Sequence, residues 1–198
     1  MTADRISATF AACAQNGRAA FVAYLMAADP DIETSYKNLV ALSESGADII
    51  ELGAPFTDPM ADGPAIQKAA LRSLAAGGSL TVTLEIARRF RSVNTSTPLI
   101  VMGYANPIHR MGFAAFAEKA AEAGVDGVIT VDLPPEEDAP LRTELAAHGL
   151  AVALAVAELR GALAEIDDLP FHLRARRGLQ RVDVRERDDL RLEPGLRR

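Results

Sequence analysis

The chain has a single cysteine, Cys13, so no intramolecular disulfide can brace it. A reducing compartment, the cytoplasm, is therefore the expected setting. Any apolar run near the roughly 18–20 residues that a membrane span requires is also missing. The nearest candidate is ten uncharged residues over 19–28, behind Arg18. It reads as a buried strand. A signal-peptide core is the poorer fit, with a long polar stretch before it and Asp29-Pro30-Asp31 after it. Excess positive charge is lacking too. The net charge of −6 argues against a general nucleic-acid binder and against anionic membrane surfaces. His109, His148 and His172 stand singly, without cysteines or carboxylates at ligand spacing, so no metal site is expected. What is present, 198 residues at 49% apolar and 24% charged, suits one soluble globular domain with a sizeable core.

Composition changes sharply along the chain. Residues 1–157 carry 11 Lys and Arg against 18 acids, whereas residues 158–198 carry 10 Arg, no Lys and 9 acids. No Ser or Thr follows Thr143. A boundary is expected near 157.

Before that boundary, short apolar runs alternate with helical spacing. Runs at 21–26, 48–53, 99–104, 128–132 and 150–156 suit strands buried on both faces. Between them, Ile32, Tyr36, Leu39 and Val40 form one helical stripe, ended by Gly46. Ile66, Ala70 and Leu74 form another, between Pro64 and Gly77. Val82, Ile86 and Phe90 make a further helix, as do Phe113, Phe116, Ala117 and Ala120 before Gly124. The next helix is expected to open at Pro134-Pro135-Glu136-Glu137-Asp138, with acids in its first turn, and to run through Leu141 and Leu145 to Gly149. An earlier helix places Ile6, Phe10 and Cys13 on one face, which makes Cys13 a small core residue. Strand and helix at even spacing mean βα units and a parallel sheet, an α/β fold. Units of roughly 32 residues allow about five before the boundary, where an eight-unit barrel needs about 250 residues. A doubly wound sheet is also compatible with five strands, but Ala28-Asp29-Pro30 stands where its glycine fingerprint would be.

The densest chemical signal runs from Glu51 to Pro64, Glu-Leu-Gly-Ala-Pro-Phe-Thr-Asp-Pro-Met-Ala-Asp-Gly-Pro. A carboxylate at the end of a buried strand is costly and rarely serves stability alone. In a βα barrel the C-terminal strand ends carry the active site. Glu51 sits at such an end and Asp62 precedes the next helix. Two carboxylates in one cleft can differ in pKa, so one shuttles protons while the other stays ionised. The alternatives are that Glu51 pairs with a buried arginine or caps a loop, and that Asp62 only N-caps the helix.

This segment resembles the signature of the tryptophan synthase α-subunit family, departing from it in Thr57 where the family has Ser. Asp29-Pro30-Asp31, Gly46-Ala47-Asp48, 102–108 (Met-Gly-Tyr-Ala-Asn-Pro-Ile), Ala123-Gly124-Val125-Asp126-Gly127 and 132–137 (Asp-Leu-Pro-Pro-Glu-Glu) agree as well. The likeness spans about residues 18–157. It implies the (β/α)8 TIM-barrel family, here an incomplete barrel of about five βα units, and a carbon–carbon lyase of tryptophan biosynthesis. That lyase cleaves indole-3-glycerol phosphate to indole and glyceraldehyde 3-phosphate. By this resemblance Glu51 is the general acid/base that protonates indole C3, and Asp62 is the carboxylate that meets the indole N–H and the charge growing on the ring. Tyr24, Met102 and Tyr104 fall at positions lining the indole pocket; ordinary packing at strand ends is the other reading. Pro55, Phe56 and Asp58 lie on the mobile loop that faces the partner β subunit of an α2β2 heterotetramer, while a solvated turn would equally suit Asp58. No cofactor is implied, since pyridoxal phosphate belongs to the β subunit. Asp132 is expected to orient the helix that follows it.

After Ala157 the resemblance stops. The family's phosphate-binding loops, with their Gly-Thr and Gly-Ser pairs, have no counterpart in the Arg-rich stretch, so weak phosphate binding is expected. Leu159, Leu163 and Ile166 suit one more helix, and beyond Pro170 a solvated or disordered tail is expected. Out-of-frame translation of a GC-rich gene accounts economically for arginine without lysine and for 55 positions without hydroxyl residues. The competing functional reading is therefore an inactive, truncated or frameshifted α chain that at most binds a β subunit.

Overall fold

In a computed structural model of the chain, residues 3–154 are described. Five strands, β1 (Val22–Met26), β2 (Ile49–Gly53), β3 (Leu99–Gly103), β4 (Gly127–Thr130) and β5 (Ala151–Leu154), form one sheet in chain order. Every pairing is parallel. Helix α1 (Ala3–Gln15) precedes β1 and α2 (Ile32–Glu44) follows it. α3 (Pro64–Ala75) and α4 (Leu80–Val93) join β2 to β3. α5 (Ala105–Met111) and α6 (Phe113–Glu122) lead to β4, and α7 (Ala139–Ala147) leads to β5.

Strand order equal to chain order decides between the two architectures. Crossovers of one hand that never reverse direction place all their helices on one side of the sheet, as in a barrel and unlike a doubly wound fold. Packing agrees. Ile50, Leu52, Leu99, Val101 and Val128 share one buried cluster with Leu39, Leu84, Phe90, Phe116 and Leu145 of the helices. Their alternate neighbours Tyr24, Glu51, Met102 and Ile129 turn to the opposite face and are half-buried. Phe90 and Phe116 are fully buried, and truncating either to alanine should cost about 3–5 kcal/mol.

Local chemistry explains the element ends. Asp31 caps α2, accepting from the Thr34 N–H at 2.8 Å. Ser79 does the same for Val82 at the start of α4, and Pro64 opens α3. Gly46, Gly77, Gly124 and Gly149 follow the ends of α2, α3, α6 and α7 with positive φ.

The structure corrects several boundaries. β4 stops at Thr130, because Val131 and Asp132 leave for the loop. α7 begins at Ala139, five residues after Pro134. Residues 134–138 instead form a turn, closed by the Glu137 N–H donating to the Pro134 carbonyl at 3.0 Å. Phe10 is 51% exposed while Cys13 is buried, so α1 does not bury the whole face expected of it. The outer part of the run 150–156, the helix over 159–166 and the tail beyond Pro170 lie outside the described residues.

The N-terminal strand ends are locked by charge. Asp126 is fully buried and accepts from Arg5, from the Arg91 guanidinium at 2.8 Å and from the Leu99 N–H at 2.9 Å. Asp48 accepts two bonds from Arg18 and one from the Phe21 N–H. Arg5 thus ties α1 beneath β4, where its neighbour Ile6 also reaches Gly127. The opposite, C-terminal ends are left to the chemistry.

Candidate active site

Register assembles the site. Tyr24 pairs with Glu51 and Glu51 with Ile100; one row further on, Gly53 lies between Met26 and Met102. These residues share the face away from the helices because parity in a strand fixes the side. Glu51, at the centre of β2, is half-buried, and burial alone pushes its carboxyl above the ordinary value. Among the described residues no arginine or lysine pairs with it, so the buried-arginine reading of Glu51 finds no support there. A carboxyl whose proton is held more tightly by desolvation is suited to general-acid work.

Tyr24 sits beside it. Its hydroxyl lies against the backbone of Gly53, where an added Cβ would fall 2.1 Å from the oxygen. Only glycine leaves that space. The Tyr24 hydroxyl is driven well above the ordinary tyrosine range, first by burial and then by the charges of Asp62, Glu51 and Tyr104. Carboxylates from β2 and from the following loop therefore converge on one phenol.

The segment 54–63 brings Asp62 there. The Ala54 N–H donates to the Met102 carbonyl at 2.8 Å, which prolongs the β2–β3 pairing by one residue. Pro55 is buried, and the half-buried Phe56 packs its ring on Tyr104 with centroids 5.1 Å apart. The chain then swings outward. Thr57 donates to the exposed Asp58 carboxylate at 2.6 Å, and Met60 is 84% exposed. It returns at Ala61, whose N–H donates to the Tyr104 hydroxyl at 3.0 Å. Burial raises the Asp62 carboxyl, and a hydrogen bond from Tyr104 opposes that rise. Gly63, not Asp62, is the N-cap of α3. The Asp62 carbonyl accepts from the Gln67 side chain at 2.8 Å, and no side chain caps α3, so the simple-cap reading fails.

Tyr104 is itself buried at the N-terminus of α5. The adjacent Ala105 N–H donates to Asp132 at 2.7 Å. Asp132 therefore holds the start of α5, after β3, where it was expected to orient the helix that follows it. His109 packs edge-on against Phe113, and a ring nitrogen of His148 lies 2.9 Å from the Glu144 carbonyl; His172 lies outside the described residues. Among the described residues, no three His, Cys, Asp or Glu side chains gather as a metal site. No helix there is long and apolar enough to cross a membrane.

Sequence patterning missed Asp126 with its two arginines, the reach of Asp132 back to α5, and the hydroxyl bonds of Tyr104. Each joins residues far apart in the chain, and no local pattern announces such a contact.

Comparison with known proteins bears on the same segment. A sequence profile described as tryptophan synthase alpha chain matches residues 10–163. The tryptophan synthase alpha chains of Phenylobacterium zucineum and Caulobacter vibrioides are 55% and 53% identical over 152 residues, 77% of this chain and 55% of each relative. The chain thus spans about half the length of the curated relatives it matches. The crystal structure of tryptophan synthase subunit alpha from Legionella pneumophila superposes with a TM-score of 0.73 at 44% identity, covering 75% of this chain and 56% of that one. A tryptophan synthase structure from M. tuberculosis gives 0.72 at 38%, covering 76% and 59%. With more than half of its residues matched by that profile, and a parallel sheet whose helices cover one face, the chain belongs to the tryptophan synthase alpha chain family, a TIM-barrel family.

Proposed function

We propose that this chain is a carbon–carbon lyase that cleaves indole-3-glycerol phosphate to indole and glyceraldehyde 3-phosphate. The observation supporting this reading is that strand register sets Glu51 beside Tyr24 while the Ala61–Tyr104 hydrogen bond returns the segment carrying Asp62 to the same side of the sheet, toward the C-terminal strand ends where βα barrels do their chemistry. In the reaction Glu51 gives its proton to indole C3. The bond from C3 to the glycerol carbon then breaks with its electron pair returning to the ring, and the hydroxyl on that carbon gives its proton to the Glu51 carboxylate as it becomes the aldehyde. Positive charge that builds on the ring meets Asp62, which also accepts the indole N–H. Tyr24, Met102 and Tyr104 wall the ring. The exposed turn at Asp58, with Pro55 and Phe56 behind it, is the side offered to a β subunit in an α2β2 assembly. No cofactor is required for the cleavage, and pyridoxal phosphate stays with the partner. A cytoplasmic location follows from the same reading.

Indole release from indole-3-glycerol phosphate by the purified chain, with and without β subunit, tests it. We expect slow release that β subunit increases and that Glu51→Gln lowers by about 10²–10⁴. Turnover that survives Glu51→Gln would remove Glu51 from the mechanism, and no release under either condition would refute the activity.

A further inference from the structure

We propose that Tyr104 is a positioning residue, whose hydroxyl pins the 56–62 segment to the end of β3 and sets the Asp62 carboxylate at the rim beside Tyr24. The role assigned to Asp62 rests on the function proposed above; the pin itself does not. By resemblance alone Tyr104 is a pocket wall, for which a phenyl ring would serve as well. The geometry asks for the oxygen. A phenol can accept and donate at once. The Ala61 N–H donates to it at 3.0 Å, which leaves its own proton for Asp62, the hydrogen bond that favours the ionised carboxylate.

Three further contacts hold Tyr104 still. It is 4% exposed, its ring packs on Phe56 of the segment it pins, and the next N–H is fixed by Asp132. Tyr104 and the adjacent Ala105 N–H thus link the loops after β2, β3 and β4. Between Phe56 and Ala61 the segment is exposed at Thr57, Asp58 and Met60, so the Tyr104 hydroxyl is the tether that returns it to the sheet.

Tyr104→Phe in the full chain isolates that oxygen, since the ring and its packing remain. Carbon-13 NMR of the Asp62 carboxyl and hydrogen exchange of the Ala61 amide read the pin without any activity. The Val101 amide, in the core of β3, serves as the control for global stability. We expect the Asp62 titration to move to higher pH, and Ala61 to exchange at least ten times faster relative to Val101. In turnover, a hydrogen bond to a charged group is worth about 10- to 100-fold. That loss should fall on kcat with KM changed by less than about twofold. Because ionised Asp62 is required, the acid limb of the rate profile should move to higher pH. An unchanged Asp62 titration together with unchanged relative exchange at Ala61 would overturn the pin. A wild-type chain that releases no indole would refute the activity and leave these two NMR readings to judge the pin.

Discussion

Asp126→Ala should be among the most destabilising single substitutions in the described part of the chain. The carboxylate is wholly buried, and the Arg91 side chain paired with it is only 12% exposed. Burial works against the Arg91 charge and Asp126 compensates for it. Removing the carboxylate strands a guanidinium in the interior, which costs about 3–5 kcal/mol. The Leu99 N–H also loses its acceptor, and a buried donor left unpaired costs about 1–3 kcal/mol. The two losses share one site and do not simply add, so about 4 kcal/mol is the expected total. Domains of this kind have about 5–15 kcal/mol in hand. With a urea slope of about 2 kcal/mol/M, the midpoint should fall by about 2 M at unchanged slope. Asp126→Asn keeps one oxygen for three donors and should fall between. Asp29→Ala is the control, because Asp29 also makes a two-pronged pair, with Arg72, but that arginine is 55% exposed. It should barely move the midpoint. Equal shifts for Asp126→Ala and Asp29→Ala would refute the argument that burial, and not pairing, sets the cost.

Legibility in the sequence followed the range of the interaction. The five strands were readable because runs such as 99–103 are apolar on both faces, and the helix stops because Gly46, Gly77, Gly124 and Gly149 take conformations other residues avoid. Glu51 stood out since a carboxylate inside such a run needs a reason. The start of α7 misled. Acids at 136–138 imitate a first turn, yet Asp138 is buried in a pair with Arg142 one turn on, and Pro140 occupies the place a first-turn proline prefers. Asp126 and Tyr104 were out of reach for another reason. Arg5 lies 121 positions from Asp126 and Ala61 lies 43 from Tyr104. Only the folded sheet brings them together.

The remaining predictions concern the site. Asp62→Asn should lower kcat in the indole-release assay while KM changes less; a raised KM with unchanged kcat would make Asp62 a binding group only. Gly53→Ala forces the Tyr24 ring to move and should cost about 1–3 kcal/mol in urea unfolding. Tyr24→Phe removes the nearest clash, the 2.1 Å approach to the oxygen, so the double variant should be less destabilised than the sum, and strict additivity would refute the contact. Glu51→Gln should stabilise the fold near neutral pH. Burial raises the folded carboxyl above its ordinary 4.5, so between the unfolded and folded values the native state binds more protons than the unfolded one. Stability must then fall as pH rises through that window, and the penalty is fully present above it. Glutamine carries no such penalty. The gain over wild type should therefore be largest at neutral pH, shrink as the pH falls through that window and be gone below about 4. Unfolding midpoints measured across that range decide it: a Glu51→Gln advantage that grows on acidification would have the wrong sign for a carboxyl held up by burial.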